Sequence, residues 1–240
     1  MTRLSLIVIW LSLVAGPVLA QDLSISLGGD GSLAGRSVQL LLLITVLSIV
    51  PGLAITLTCF PFVVTVLSIL RQAIGLQQSP PNMLIVSLAL FLSWYVMDPV
   101  ITEAWVRGIE PLSNGTMELD VAIRETLAPF RIFMAGRLDM GAFAALQALR
   151  PEAVVAAPVD SALSLLVPSF LLSEIQRAFE IGFLIFLPFL IIDLVVAAVL
   201  MSMGMMMVPP AVVALPFKLA FFVVADGWSL IASALVRSYF

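Results

Sequence analysis

Hydrophobic residues run in long uncharged blocks. No charge falls between Arg36 and Arg71, a stretch longer than the roughly 20 residues a helix needs to cross a bilayer. Pro51 and Pro61 interrupt it, and each removes a backbone donor. The pattern predicts one long kinked helix, or a spanning helix with a broken extension. A polar turn follows from Arg71 to Asn82, through Gln77-Gln78-Ser79-Pro80-Pro81. A second apolar segment covers Met83 to Met97 and is expected to end at Asp98-Pro99.

The stretch 103–180 differs, because it holds most of the chain's charges. Leu119, Ala122, Ile123, Leu127 and Phe130 recur at helical spacing, with Glu118, Asp120, Arg124 and Glu125 opposite. That predicts an amphipathic helix. Gly136 and Pro151 punctuate what comes next. Apolar sequence resumes at Pro168. Ser169 to Glu180 reads as helical, with Glu174, Arg177 and Glu180 three residues apart on neighbouring turns. Asp193 is the only charge from Gly182 to Met207, Pro209-Pro210 follows, and the last apolar segment, Val212 to Val236, contains Lys218 and Asp226.

The expected fold is therefore all-α and membrane-embedded, with two long kinked helical hairpins flanking a small helical insertion. The expected boundaries are 1–20 for a signal peptide, 21–37 for a polar segment, 38–102 for the first hairpin, 103–168 for the insertion and 169–240 for the second hairpin. Arg3, the short apolar core from Leu4 to Ala15, and Val18-Leu19-Ala20 fit a cleaved signal. An uncleaved first membrane helix is the alternative. Both Pro-Pro turns are expected on the cytoplasmic side and the insertion in the periplasm, although Arg71 is the lone positive charge guiding that orientation. Asn114-Gly115-Thr116 matches a glycosylation sequon of a kind common by chance.

Composition agrees. The chain is 62% hydrophobic and 11% charged, against about a quarter charged in soluble domains. The net charge of -4 and scattered basic residues argue against nucleic acid, which needs a basic stripe. The single cysteine, Cys59, permits no internal disulfide, and histidine is absent. That removes the commonest metal ligand and general base. No phosphate loop or metal spacing is present, and no Ser or Cys nucleophile has a His to serve it. No cofactor, metal site or catalytic residue is expected.

Candidate chemistry lies in the embedded charges and the sulfur. A mid-membrane Asp costs about 2.5–3.5 kcal/mol, and each Leu, Ile, Phe or Val returns about 0.3–0.6. The segment Phe183 to Leu200 can therefore carry Asp193, which should not face lipid. Three readings stay open: a contact between helices or subunits, a proton or ion relay, or a helix-end residue reaching interfacial water. Lys218 and Asp226 are eight residues apart, about two turns, and are expected to share a face that lines an interface or channel. Met201-Ser202-Met203-Gly204-Met205-Met206-Met207 holds five methionines in seven residues. Thioether side chains adapt to varied shapes, so a deformable seal is expected here, with ordinary gap-filling as the alternative.

Several stretches resemble one family. They are Phe179-Glu180-Ile181-Gly182-Phe183 through Leu187-Pro188-Phe189-Leu190-Ile191-Ile192-Asp193-Leu194, then Met205-Met206-Met207-Val208-Pro209-Pro210, Leu215-Pro216-Phe217-Lys218-Leu219, Asp226-Gly227-Trp228, Leu70-Arg71-Gln72-Ala73 and Gln77-Gln78-Ser79-Pro80-Pro81-Asn82. Together they look like the FliP family of flagellar type III export gates, which has SctR-type relatives in virulence secretion. The likeness covers most of the chain from about Leu40. Where members carry a polar Thr-Arg pair, this chain has Pro61-Phe62. The resemblance implies a non-enzymatic subunit of the export gate in the bacterial inner membrane, at the flagellar basal body. It implies five copies assembled with FliQ- and FliR-type membrane subunits, passing unfolded flagellar proteins. It further implies that Met205, Met206 and Met207 form the pore gasket. In the assembled family complex the hairpins sit largely at periplasmic level, so Asp193, Lys218, Asp226, Glu174, Arg177 and Glu180 would make interface or pore contacts inside protein. The competing reading is an ion-coupled transporter or channel using Asp193, Lys218 and Asp226. A membrane enzyme would need catalytic groups the sequence lacks.

Overall fold

In the computed structural model of the chain, residues 33–76, 79–149, 157–205 and 207–240 are described. The expected signal peptide, most of the 21–37 segment, Gln77, Gln78, Pro151 and Met206 lie outside them. All regular structure among the described residues is helical. The helices are α1 (Leu33–Thr56), α2 (Phe60–Ile74), α3 (Asn82–Ala104), α4 (Leu119–Gly136), α5 (Met140–Ala148), α6 (Leu163–Ser202), α7 (Pro210–Val224) and α8 (Gly227–Arg237). The chain divides into two units at Val46/Leu47. The described part of the first is the beginning of α1, and the remaining architecture belongs to the second.

The core is organised around α2. Pro61 sits in its first turn, where a missing N–H costs nothing. Gly75, at φ 88°, ends the helix by donating its N–H to the Gln72 carbonyl, a left-handed conformation that glycine adopts without penalty. Phe62, Val66, Leu70 and Ala73 line one side, with Val63, Leu67 and Ile74 beside them, and all are buried. The most extensive helix packing in the chain is α2 against α6. A Cβ on Gly182 of α6 would fall 2.4 Å from Cδ1 of Ile69, so the two helices touch closely there.

Of the two outcomes expected for the first apolar block, the broken one is present: the chain breaks at Leu57–Cys59, between α1 and α2, while α1 continues through Pro51. The sequence patterns and the helices differ at four other places. The second segment does not stop at Asp98-Pro99. Helix α3 passes through Pro99 and continues into one wider π turn, Trp105–Ile109, and a short turn, Glu110–Ser113. Residues 163–202 form one 40-residue helix containing both Pro168 and Pro188. The last segment is two helices bent by 61°. The buried side of α4 is also rotated from the pattern: Ala122, Pro129 and Met134 are buried, whereas Leu119 and Ile123 are 62% and 51% exposed.

Two helical stretches, Asn82–Ser113 and Leu163–Ser202, are long and apolar enough to cross a membrane, and α7 with α8 makes a third if the bent pair is one span. Helix α6 has 40 residues, so at 1.5 Å per residue it is about 60 Å long. That is about twice the hydrocarbon thickness of a bilayer.

The π turn carries the tightest backbone approach. A Cβ on Gly108 would lie 2.0 Å from Thr126 Oγ1 and 2.7 Å from the Ala122 carbonyl oxygen. Arg107 beside it bridges Glu103 at 3.0 Å and Glu125 at 2.9 Å, fastening the end of α3 to α4. Gly108→Ala should therefore cost about 1–3 kcal/mol, because backbone must move. Gly182→Ala should cost less, because the Ile69 side chain can rotate away. Melting curves of the detergent-solubilised protein test this order, and an unchanged Gly108→Ala melting temperature would contradict it.

Candidate functional site

Besides the Arg107 bridges, two ionic clusters and one turn stand out among the described residues of the second unit. The first cluster joins three distant parts of the chain. Glu174 projects from α6 and is fully buried. Arg137 follows the last turn of α4, and Tyr239 follows α8. Arg137 Nε donates to Glu174 Oε1 at 3.0 Å, and Nη1 donates to the Ser238 carbonyl at 2.8 Å. The Tyr239 hydroxyl donates to Glu174 Oε2. The guanidinium lies 4.0 Å above the Tyr239 ring, which itself stacks on Phe133 and meets Phe62 edge-on. Burial pushes the Tyr239 phenol above its usual range, and the Glu174 charge pushes it further, so it remains a proton donor. The adjoining Ser173 hydroxyl accepts from the Asp139 N–H at 2.8 Å. The segment linking α4 to α5 is thus pinned to α6 at two consecutive residues.

The second cluster joins α2, α6 and α7. Lys218 Nζ donates to Asp193 Oδ2 at 2.5 Å and to the Ala73 carbonyl, in the last turn of α2, at 3.1 Å. Lys218 is buried, while the Asp193 side chain is 35% exposed. Asp193 Oδ1 is buried without a partner among the described residues. Asp193 is therefore a contact between helices, set against a lysine that could not lie in lipid unpaired.

The other charges singled out in the sequence do not join these clusters. Asp226 does not share a helix face with Lys218, since α7 ends at Val224. It occupies the bend with φ 47°, its side chain is exposed, and its carbonyl accepts the Leu230 N–H. Glu180 is exposed and accepts from Gln176 Nε2 at 3.1 Å. Arg177 is half-buried and has no ionic partner among the described residues. Spacing three placed Glu174, Arg177 and Glu180 on adjacent turns, but only Glu174 turns into the core. Arg137 and Tyr239 were not singled out. No periodicity marks a lone arginine after a glycine or a tyrosine one residue from the chain end. No group of three or more His, Cys, Asp or Glu side chains suited to a metal occurs among the described residues.

The turn between α6 and α7 is built by Gly204 at φ 72°. Around it Met201, Met203, Met205 and Met207 are 61%, 67%, 41% and 97% exposed. Met206, the middle residue of the expected gasket, lies outside the described residues. Between the end of α6 and α7 runs an apolar cleft of about 590 Å³, lined by Ile191, Val195, Val199, Met203, Met205 and Phe217 among others. No charge occurs from Leu194 to Phe217. Apart from the Ser202 hydroxyl, which donates to the Val199 carbonyl, the segment's described side chains offer sulfur and hydrocarbon, with the Lys218–Asp193 pair at its base.

The FliP family profile matches residues 43–235. The flagellar biosynthetic protein FliP of Caulobacter vibrioides is 49% identical over 216 residues, covering 90% of this chain and 81% of that protein. The protein of the same name from Bacillus subtilis is 42% identical, covering 88% of this chain and 95% of its own length. That of Aquifex aeolicus is 40% identical over 95% of this chain and 97% of its own.

Proposed function

The chain belongs to the FliP family, and from that premise we propose that it is a core subunit of the flagellar type III protein export gate. In this reading it forms part of a conduit for unfolded flagellar proteins across the bacterial inner membrane. The hairpins 38–102 and 169–240 flank the insertion 103–168, which faces the periplasm. Several copies, five by the family likeness, assemble with FliQ- and FliR-type subunits, and Met205, Met206 and Met207 close the passage.

The observation that carries the reading is the methionine turn. It stands at the end of a helix about 60 Å long, carries no charge, and exposes its sulfurs instead of packing them. Gap-filling methionines would be buried, as Met97 and Met134 are at 1% and 0%. An exposed, adaptable apolar surface suits a seal that must close on varied chains. The outer side of α6 supports the assembly. Phe179, Phe183, Leu190 and Leu194 are 48% to 70% exposed at near-helical spacing, along a helix too long for lipid alone to cover.

Replacing Met205, Met206 and Met207 by alanine tests the seal. Cells expressing the assembled gate with this variant should leak small ions, while export persists. A transporter would instead lose uptake without leaking. An unaltered ion barrier in a gate shown to be assembled would defeat the reading.

A further inference from the structure

Among the described methionines, Met97 and Met134 are sealed in the core, at 1% and 0% exposed. Four others, Met201, Met203, Met205 and Met207, crowd into seven residues at 41% to 97% exposure. Methionine oxidation follows access to the sulfur. We propose that Met201, Met203, Met205 and Met207 form a reversible oxidation site, and that their conversion to sulfoxides by a peroxide unseals the passage. The second half rests on the proposed gate function. The first half rests on this geometry alone.

The step balances without further reactants. The thioether sulfur attacks one peroxide oxygen, the O–O bond breaks, and an S–O bond forms. Sulfur loses two electrons, and the departing hydroxide takes the proton given up by the oxygen now bound to sulfur and leaves as water. No charge on the chain need change.

The consequence is large here because of what surrounds the sulfurs. From Leu194 to Phe217 the side chains carry no charge, and the one hydroxyl, Ser202, is already bonded to the Val199 carbonyl at 2.7 Å. A sulfoxide brings a strong dipole and two acceptor lone pairs to a position that held neither. Buried without donors, such groups are costly and draw in water. Four of them in one turn, repeated in every copy, replace an apolar collar with a wettable one. Met203 and Met205 also line the apolar cleft beside α7, so oxidation there loosens the turn's packing as well. Met83 and Met140 are also exposed, at 81% and 60%, but both lie outside the turn. They should oxidise without opening anything.

The test uses the full-length protein in its assembled membrane complex, treated with hydrogen peroxide. Peptide mass spectrometry should find one added oxygen on each of Met201, Met203, Met205 and Met207 while Met97 and Met134 stay unmodified. Sparing of the turn as complete as that of Met134 would overturn the site. In proteoliposomes, ion conductance should rise at least several-fold on oxidation and return after methionine sulfoxide reductases of both stereospecificities with a thiol reductant. The M201L/M203L/M205L/M207L variant, which keeps Met206, should lose most of the peroxide response, whereas M83L/M140L should respond like the parent. Should the four-leucine variant fail to assemble, reversal by the reductases in the parent decides alone. A turn that oxidises while conductance stays flat overturns the unsealing. If the Met205–Met207 alanine variant leaks without oxidant in that case, the gate reading survives. If it does not leak, that reading falls too.

Discussion

Glu174→Ala is expected to be the most damaging single replacement in the chain, lowering stability by about 3–5 kcal/mol. The carboxylate is wholly buried and serves two donors, Arg137 Nε and the Tyr239 hydroxyl. Its removal leaves a guanidinium that is 12% exposed with no counter-charge. Arg137 Nη2 is already buried without a hydrogen-bond partner among the described residues, so the site has no slack to absorb a second loss. The damage should spread, because the same arginine holds the Ser238 carbonyl and the Tyr239 ring. The link between α4 and α5 and the chain's C-terminal residues should both come away from α6. Glu174→Gln should be milder, keeping oxygen but not charge. Replacing both partners with apolar residues, Arg137→Met with Glu174→Leu, should recover much of the loss, since an absent ion pair costs less than half of one. Thermal melting in mild detergent reads all three variants. A Glu174→Ala protein that melts with the parent would show that the cluster is not closed in the folded chain.

Lys218→Asp comes next in size. It sets a second carboxylate against Asp193 where an ammonium stood at 2.5 Å, and strips the Ala73 carbonyl of its donor. Lys218 is buried but the Asp193 side chain is 35% exposed, so losing the ammonium costs less than the about 3–5 kcal/mol of a wholly buried pair, and like charges add repulsion. Three helices, α2, α6 and α7, meet at that nitrogen, so the methionine turn above should lose its footing. Motility on soft agar should vanish. The reciprocal exchange, Asp193→Lys with Lys218→Asp, should restore part of it, because the pair is re-formed even though Ala73 is not. Normal swimming by the single Lys218→Asp strain would sink this account of the pair.

How much of this was legible in the sequence depends on distance along the chain. The apolar blocks announced the membrane helices, and the 3.6-residue period announced α4. Asp193 and Lys218 stood out because a charge in an apolar run needs a partner. Their pairing did not stand out, since they stand 25 positions apart with a turn between them. Glu174 was visible, but Arg137 and Tyr239, 37 and 65 residues away, were not, because long-range geometry brings them together. Prolines misled in both directions. Pro51, Pro99, Pro168 and Pro188 lie within continuous helices, because packing and flanking turns outweigh one lost bond. The 61° bend at Ala225–Asp226 involves no proline. Its signal was the Asp226-Gly227 dipeptide, a common turn marker, hidden in a run read as one apolar segment. The rotation of the buried side of α4 was beyond reach, since Leu119 and Ile123 differ from Ala122 only in what happens to lie opposite them.

In the proposed gate, long apolar helices with paired interior ions are covered by further copies of the same chain, around a passage closed by thioethers. Mass measurement of the complex, released intact from membranes in mild detergent with its FliQ- and FliR-type partners co-expressed, tests that claim most directly. A single species containing five copies of this chain is the expected result. A stable monomer, with the length of α6 covered by detergent alone, would contradict it.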